Sequence, residues 1–202
     1  MFITFEGIEG SGKSTLMSSV QRALEAAGHR VLAVREPGGT PLGDAVRGVF
    51  LQPGLEIEPL AEALLINASR TQLVAAAVRP ALDRGAVVLC DRYVHSTLAY
   101  QGFGRGVALP LLQSICDAAT GGLSPDLTLL VDIDVDTSRR RLSVRGNGAD
   151  RMEREGVDFH SRVRAGYLEI AARDPRVVVL DGAASQEQVL DAAMSALSAV
   201  LA

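Results

Sequence analysis

Short apolar runs alternate with longer segments of helical periodicity along the whole chain. Each run is rich in aliphatic or β-branched residues, and most of them end at a charged residue. The predicted strands are 2–5, 30–35, 86–91, 127–134 and 176–181. The predicted helices are 13–27, about 42–51, 58–83, 107–120, 135–145, 158–173 and 185–201. Nearly continuous apolar strands between helices predict an α/β fold, with a five-stranded parallel sheet that has helices on both faces.

The polar segments that follow the strands are where a ligand is expected, because open parallel sheets bind ligands beyond the carboxyl ends of their strands. These segments are 6–15, 36–44, 91–105 and the residues from 134 onward. No internal repeat, low-complexity tract or linker divides the 202 residues. That length suits one well-buried domain, so we expect 1–202 to form a single domain.

The first of these segments, 7–14, has the sequence GIEGSGKS and matches G-x-x-x-x-G-K-[ST] between a predicted strand and a predicted helix. Its glycines let backbone N–H groups turn towards an anion, and the helix N-terminus adds partial positive charge. We expect Lys13 to reach the β- and γ-phosphates of a nucleoside triphosphate and Ser14 to bind Mg²⁺. The motif therefore predicts a phosphate-binding loop of the P-loop NTPase type.

Lys13 is the single lysine among 20 basic residues, and the other 19 are arginines. A compact ammonium fits a phosphate-binding loop better than a broad guanidinium does. Guanine-specific GTPases carry an Asn-Lys-x-Asp motif. This chain has no second lysine that could form it. Motor ATPases usually need a longer chain or a partner domain. A small-molecule kinase with a lid is the remaining class.

The overall charge and the other candidate groups exclude several classes. A net charge of −4 argues against a general nucleic-acid or membrane-surface protein. The N-terminus lacks the pattern of a signal peptide, and no apolar run is long enough for a membrane span, so we expect a cytoplasmic protein. Cys90 and Cys116 have no metal-binding spacing and are expected to be buried, inert thiols.

Residues expected on the acceptor side have two readings each. Asp91 and Arg92 follow the third predicted strand: they either bind Mg²⁺ through water and an acceptor phosphate, or form a strand-end ion pair. Ile66 and Arg70 share one helix face, so Arg70 either contacts a ligand or faces solvent. Glu9 would repel the phosphates of a donor, so it is expected to point towards an acceptor sugar.

The segment 139–155, RRRLSVRGNGADRMERE, is rich in arginine and contains Gly146 and Gly148. A run of mixed charge is usually a solvated loop. In a chain with a phosphate-binding loop, it also suits a lid that closes over a transferring phosphoryl group. We favour the lid.

Six stretches carry a family resemblance: FEGIEGSGKST, REPGGT, NASRTQ, DRYVHSTLAYQGFGR, PDLTLLVDID and RGNGADRMERE. In order and spacing they resemble the thymidylate kinases, nucleoside monophosphate kinases that phosphorylate dTMP, over almost the whole chain. The form resembled is the bacterial one, with a catalytic arginine in the lid and a glutamate, Glu9, in the phosphate-binding loop. The resemblance implies transfer from ATP to dTMP, giving ADP and dTDP for dTTP synthesis, with Mg²⁺ as cofactor and a homodimer as the assembly.

Carried over residue by residue, the resemblance implies four groups of site residues. ATP would be bound by Gly7, Ile8, Glu9, Gly10, Ser11, Gly12, Lys13, Ser14 and Thr15. The dTMP site would consist of Glu9, Glu36, Pro37, Ile66, Arg70, Arg92, Thr97, Tyr100 and Gln101. The catalytic residues would be Lys13, Arg92, Arg145 and, with a less defined register, Arg151. Ser14 and Asp91 would bind the metal ion.

Some of these residues carry more specific implied roles. Glu9 would contact the 3′-hydroxyl of the acceptor, and Arg92 its 5′-phosphate. Arg70 would hydrogen-bond the thymine edge beside Thr97 and Gln101 in the base pocket. Tyr100 would press on the 2′ face of the sugar and disfavour ribose.

Ile66 departs from the family pattern, because relatives often have an aromatic residue there that stacks on thymine. An aliphatic side chain still covers the ring but loses stacking worth on the order of 1 kcal/mol. Two alternative activities remain open at this point. One is a kinase for dUMP or for pyrimidine monophosphates more broadly, and the other is a regulator that hydrolyses ATP slowly to switch a partner.

Overall fold

The computed structural model describes residues 1–145 and 150–201, with the side chains of Arg145 and Leu201 excepted. Its centre is a parallel sheet with the strand order β2-β3-β1-β4-β5. The strands are β1 (Phe2–Glu6), β2 (Val31–Arg35), β3 (Val87–Asp91), β4 (Leu127–Asp132) and β5 (Val177–Asp181). The five-stranded parallel sheet predicted from the sequence is confirmed, with each strand bound within two residues of the prediction.

Helices cover both faces of the sheet. They are α1 (Lys13–Ala26), α2 (Pro41–Phe50), α3 (Pro59–Leu73), α4 (Arg79–Asp83), α5 (Val94–Thr97), α6 (Leu109–Thr120), α7 (Val135–Arg145), α8 (Val157–Arg173) and α9 (Gln186–Leu201). Two π-helical segments, Val74–Val78 and Leu98–Gly104, continue α3 and α5. In the part of the chain that the structure describes, no helix combines the length and apolar character needed to cross a bilayer.

Alternate residues of the central strands pack into separate apolar clusters, as a strand buried on both faces requires. Ile3 and Phe5 of β1 pack with α1 and α9 on one face. Phe2 packs on the other face with the segment that ends α3. Strands β2 and β5 are at the edges and are less buried than β1.

The predicted helix 58–83 is interrupted by the π-helical segment Val74–Val78. Pro80 lies two residues after Val78 and has no N–H to donate to the preceding turn. A wider turn before a proline absorbs this missing hydrogen bond, so the predicted helical segment runs unbroken but is not α-helical throughout.

Residues 94–104 form a helix that the sequence pattern did not predict. This segment contains Gly102 and Gly104, which disfavour a helix on propensity alone. Tertiary packing needs both glycines: a Cβ at Gly102 would lie 2.5 Å from Leu109, and one at Gly104 would lie 2.7 Å from Phe159. The helix is therefore fixed by close contact with α6 and α8.

Gly104→Ala tests this close packing. The added methyl would overlap Phe159 and Val163, so we expect the free energy of unfolding to fall by about 1–3 kcal/mol in urea titrations. Gly48→Ala is the control, because Gly48 lies in α2 with open space around it. That change should stabilise the protein by about 0.5–1 kcal/mol. Equal effects of the two changes would contradict the packing argument.

Candidate active site

A cavity of about 640 Å³ runs along the carboxyl edge of the sheet, from the exit of β2 at Glu36 to the exit of β5 at Gly182. Its lining includes residues 9–16 of the phosphate-binding loop and α1. It also includes seven of the residues predicted to bind the acceptor: Glu36, Pro37, Ile66, Arg70, Arg92, Tyr100 and Gln101. Predicted donor and acceptor residues therefore share one continuous cavity.

The phosphate-binding loop depends on glycines at positions of left-handed or unusual backbone. Gly10 and Gly12 have φ values of 72° and 96°. Gly7 has φ 139°, and a Cβ there would lie 2.4 Å from the carbonyl oxygen of Val131. Gly7 and Ile8 lie behind the cavity rather than among its described lining residues. They hold the loop against β4, while residues 9–15 present it to the ligand.

Lys13 is buried in this loop, and its Nζ donates to the carbonyl oxygen of Ile8 at 3.3 Å. Burial and the nearby charge of Arg92 lower the pKa of Lys13, and this outweighs the opposite effect of Asp91 and Glu9. An ammonium in this setting is stabilised by any anion that enters the loop.

Ser14 and Asp91 lie side by side, where α1 begins and β3 ends. The Ser14 hydroxyl donates to Asp91 Oδ2 at 2.7 Å. The other carboxylate oxygen, Asp91 Oδ1, is buried without a hydrogen-bond partner. No group of three or more His, Cys, Asp or Glu side chains suited to a metal occurs in residues 1–144 and 150–200. A hydroxyl and one carboxylate fit Mg²⁺, which typically takes its remaining ligands from waters and substrate phosphates.

Arg92 follows β3 with a left-handed φ of 75°, which is unusual for a residue other than glycine. Its guanidinium donates to Glu9 at 2.9 Å and to the hydroxyls of Ser96 and Tyr167, both at 3.2 Å. Tyr100 donates to both carboxylate oxygens of Glu9, at 2.7 and 2.8 Å. Glu9 therefore points towards Arg92 and Tyr100, two of the residues predicted on the acceptor side.

The carboxylate of Glu9 is kept ionised by these neighbours. Burial alone would raise its pKa, but the charges of Arg92 and Lys13 and the Tyr100 hydrogen bond lower it below the ordinary value. His160 Nδ1 lies 3.5 Å from Glu9 Oε2. Glu9 can thus accept a hydrogen bond from a ligand hydroxyl without first losing a proton.

Glu6 supports this arrangement from below and was not identified from the sequence. It is fully buried at the end of β1. Its carboxylate accepts hydrogen bonds from the backbone N–H of Tyr93 and from the hydroxyls of Ser96 and Tyr167. The same two hydroxyls contact Arg92, so Glu6 fixes the orientation of the Arg92 partners.

Arg70 is fully buried, and this excludes the solvent-facing alternative for it. Its Nε donates to Glu36 at 2.7 Å, and its other partners are Asn67, Thr97, Cys116 and the carbonyl oxygen of Tyr93. Of the five guanidinium N–H groups, one on Nη2 has no partner among the described residues. Thr97 contacts Arg70 but is not among the described residues that line the cavity.

Burial raises the pKa of Glu36 to about 7, although the charge of Arg70 acts in the opposite direction. Oε1 of this carboxylate is buried and has no hydrogen-bond partner. A buried carboxylate with only one hydrogen-bonded oxygen is protonated more readily than a carboxylate that is exposed to water.

The predicted lid residues occupy two different settings. Helix α7 packs on the phosphate-binding loop: Ser138 donates to the carbonyl oxygen of Glu9 at 2.6 Å, and Arg141 contacts the carbonyl oxygens of Gly10 and Ser11. Residue 145 ends α7, and its side chain and residues 146–149 lie outside the described part of the chain. The middle of the predicted lid therefore remains a prediction.

Arg151 is buried away from the cavity. Its guanidinium donates to Glu62 Oε1 at 2.5 Å and to the carbonyl oxygen of Phe50 at 2.8 Å. It is not among the described residues that line the cavity. In this arrangement Arg151 does not reach the position predicted for it over the transferring group.

Arg47 was missed by the sequence analysis. It lies on α2, lines the cavity and donates to the carbonyl oxygen of Pro37. Burial and the charges of Arg35 and Arg92 lower the pKa of Arg47 below its ordinary value. Arg47 and Arg92 therefore form a region of positive charge that an anion would stabilise. Its position eight residues after the REPGG stretch was the only signal in the sequence.

Comparisons with known proteins identify relatives of the whole chain. The family model described as thymidylate kinase matches residues 5–193. The thymidylate kinase of Deinococcus radiodurans is 52% identical over 190 residues, covering 94% of this chain and 92% of that protein. That of Trichlorobacter lovleyi is 46% identical over 209 residues and covers 100% and 99%. The crystal structure of thymidylate kinase from Ehrlichia chaffeensis has a TM-score of 0.77 at 33% identity and covers 98% of both chains.

The raised pKa of Glu36 leads to a prediction about stability and pH. Between about pH 4.5 and 7, the folded protein holds a proton on Glu36 that the unfolded chain has released. This group therefore makes the free energy of unfolding fall as the pH rises through that window. Urea titrations at pH 5 and pH 7.5 compare the free energy of unfolding of wild type with that of Glu36→Gln. We expect the wild-type value to fall relative to that of the variant as the pH rises. If the free energy of unfolding of wild type rises relative to that of Glu36→Gln instead, Arg70 keeps Glu36 ionised in acid.

Proposed function

The chain belongs to the thymidylate kinase family, whose members phosphorylate dTMP to dTDP with ATP, and from this premise we propose how its own residues carry out the transfer. The observation that carries the proposal is the continuous cavity that joins the phosphate-binding loop to the positive charges of Arg92 and Arg47. ATP would occupy the loop from Glu9 to Thr15, and dTMP the side towards α3.

The acceptor phosphate would be bound by Arg92 and Arg47. A phosphate monoester has its second pKa near 6, so at neutral pH it is already mostly a dianion and needs no general base. The task of the site is therefore to bring two anionic groups together and to offset their repulsion. Lys13 acts on the donor phosphates, and Arg92 acts between Glu9 and the acceptor.

The base and sugar of dTMP would lie among the acceptor residues of the cavity. The second Nη2 N–H of Arg70 would donate to a carbonyl oxygen of thymine, and Ile66 would cover the ring. Glu9 would accept a hydrogen bond from the 3′-hydroxyl, and Tyr100 would exclude a 2′-hydroxyl. Tyr100 is held against Glu9 by its own hydroxyl, which supports a fixed position for its ring.

Ser14 and Asp91 are the residues that would hold Mg²⁺. The buried, unpartnered Asp91 Oδ1 supports this assignment. When bound, the ion neutralises charge on the phosphates of ATP. Asp91 also accepts a hydrogen bond from the Ser14 hydroxyl, which orients the two side chains relative to each other.

The lid would close the cavity from the side of α7. Arg141 already bridges the phosphate-binding loop and the carbonyl oxygen of Gly182. Arg145, one turn further on, is our proposed lid arginine for the transferring phosphoryl group. Closure would also exclude water, which otherwise competes as an acceptor for the phosphoryl group.

We propose a homodimer as the assembly. Five large apolar side chains on three neighbouring helices support it, because each is exposed by 42–51%: Leu42 and Val49 on α2, Leu60 and Leu64 on α3, and Leu111 on α6. A second copy that covered this face would bury them. The cytoplasmic location and the single domain over 1–202 remain predictions from the sequence.

An acceptor panel tests the proposed reaction. With ATP and Mg²⁺, we expect dTMP to give dTDP and ADP in equal amounts and dUMP to react more slowly. Lys13→Ala should lower kcat about 100-fold or more while the circular dichroism spectrum is kept, because Lys13 offsets charge on the transferring group. Formation of ADP at the same rate without any acceptor would instead support a nucleotide-hydrolysing regulator. Equal rates with dTMP and dUMP would support a broader pyrimidine kinase.

The metal assignment is tested by Asp91→Asn. The change removes a carboxylate charge, so the Mg²⁺ concentration for half-maximal rate should rise about tenfold or more. Asp132→Asn is a matched control, because Asp132 ends β4 as Asp91 ends β3 but pairs with Arg164. Its Mg²⁺ requirement should be unchanged. The same Mg²⁺ requirement in both variants would remove Asp91 from the metal site.

A further inference from the structure

Glu62 is a fully buried carboxylate beneath the acceptor side of the cavity, and none of the roles above uses it. Arg151 donates to its Oε1 at 2.5 Å, and Arg105 contacts the same carboxylate at 3.0 Å. Both guanidinium groups are donors only, so the carboxylate acts as an acceptor towards them. A buried charge of this kind is normally retained only where its partners are fixed.

The remaining partner of Glu62 is the amide of Gln101, which lines the cavity. Gln101 Nε2 donates to Glu62 Oε2 at 3.0 Å. A carboxylate acting as an acceptor requires the NH₂ end of the amide to face it. This leaves Gln101 Oε1 as the end that is buried and without a partner.

Glu62 also shares a helix face with two predicted base-pocket residues, because Glu62, Ile66 and Arg70 are spaced four residues apart on α3. We propose that Glu62 is a positioning residue that fixes the orientation of the Gln101 amide. In this orientation Gln101 Oε1 is the atom that can accept a hydrogen bond from the base of the substrate nucleotide. The inference rests on the proposed function and adds a cause for the choice of base.

A hydrogen-bond acceptor at the position of Gln101 Oε1 selects a base that carries a ring N–H. Thymine and uracil have a hydrogen on N3, which would donate to Gln101 Oε1. Cytosine has a lone pair on N3, which would face the lone pairs of Oε1. Buried Gln101 Oε1 would then form no hydrogen bond to the base, and the two sets of lone pairs would repel each other. The site therefore rejects cytosine. If the amide were free to turn over, Nε2 would meet N3 and this discrimination would fall.

The experiment compares dTMP with 5-methyl-dCMP, which keeps the methyl group of thymine and differs at positions 3 and 4 of the ring. The readouts are the ratio of kcat/KM for the two acceptors and the ratio of their dissociation constants by calorimetry. In Glu62→Gln, the new amide NH₂ can donate to Gln101 Oε1 and turn its amide over. We expect both ratios, dTMP over 5-methyl-dCMP, to fall about tenfold or more.

Glu155→Gln is the matched control, because Glu155 pairs with Arg105 in the same charge cluster and makes no contact with Gln101. It should leave both ratios unchanged. In a Gln101→Met background, Glu62→Gln should no longer change the ratios, since no amide remains to be oriented. A loss of folded protein alone lowers both activities together and leaves the ratios unaltered.

Unchanged ratios in folded Glu62→Gln protein would overturn the inference. If Glu62→Gln does not fold, Glu62→Asp keeps the charge for the two arginines but shortens the reach to Gln101, and it should lower the ratios in the same direction. Failure of the proposed function is distinct, because wild type would then form no dTDP from dTMP. A wild type that is active on dTMP with an insensitive ratio contradicts the Glu62 inference and leaves the proposed function standing.

Discussion

Repulsion between like charges is the constraint on which the site depends. Two anionic nucleotides must meet in a cavity where the dielectric constant is low, so the protein has to supply positive charge in advance. Burial and neighbouring cations lower the pKa of both Lys13 and Arg47, so this positive charge is held at a cost. Phosphates that bind beside these cations would offset that cost, which favours the complex that reacts.

Buried carboxylates set the direction of this positive charge. Glu9 pairs with Arg92, Glu36 with Arg70, and Glu62 with Arg105 and Arg151. A guanidinium is planar and presents its donors in a fixed pattern, so a carboxylate that engages one edge determines where the other edge points. Such buried pairs add little net stability compared with apolar packing, and orientation of ligand-binding groups is a better reason for them.

The sequence predicted what depends on local pattern and could not predict what depends on distant contacts. The strands and the phosphate-binding loop follow from apolar runs and from the spacing of glycines, lysine and serine. Spacing also showed that Ile66 and Arg70 share a helix face, but it could not show that Arg70 pairs with Glu36, 34 residues earlier. The helix 94–104 was missed for the same reason, because the packing of α6 and α8 around its glycines overrides their low helix propensity.

The contacts on both sides of the predicted lid limit what Arg151 can do. Before the gap in the described chain, α7 is held on the phosphate-binding loop by Ser138 and Arg141. After it, Arg151 is held by Glu62 and the carbonyl oxygen of Phe50, a buried pair whose separation would leave Glu62 with less compensation. Moving Arg151 over the phosphates would therefore cost free energy in the same cluster that orients Gln101. The contacts of Arg151 therefore assign it to the support of the acceptor side, and the catalytic role proposed for Arg145 stays a prediction.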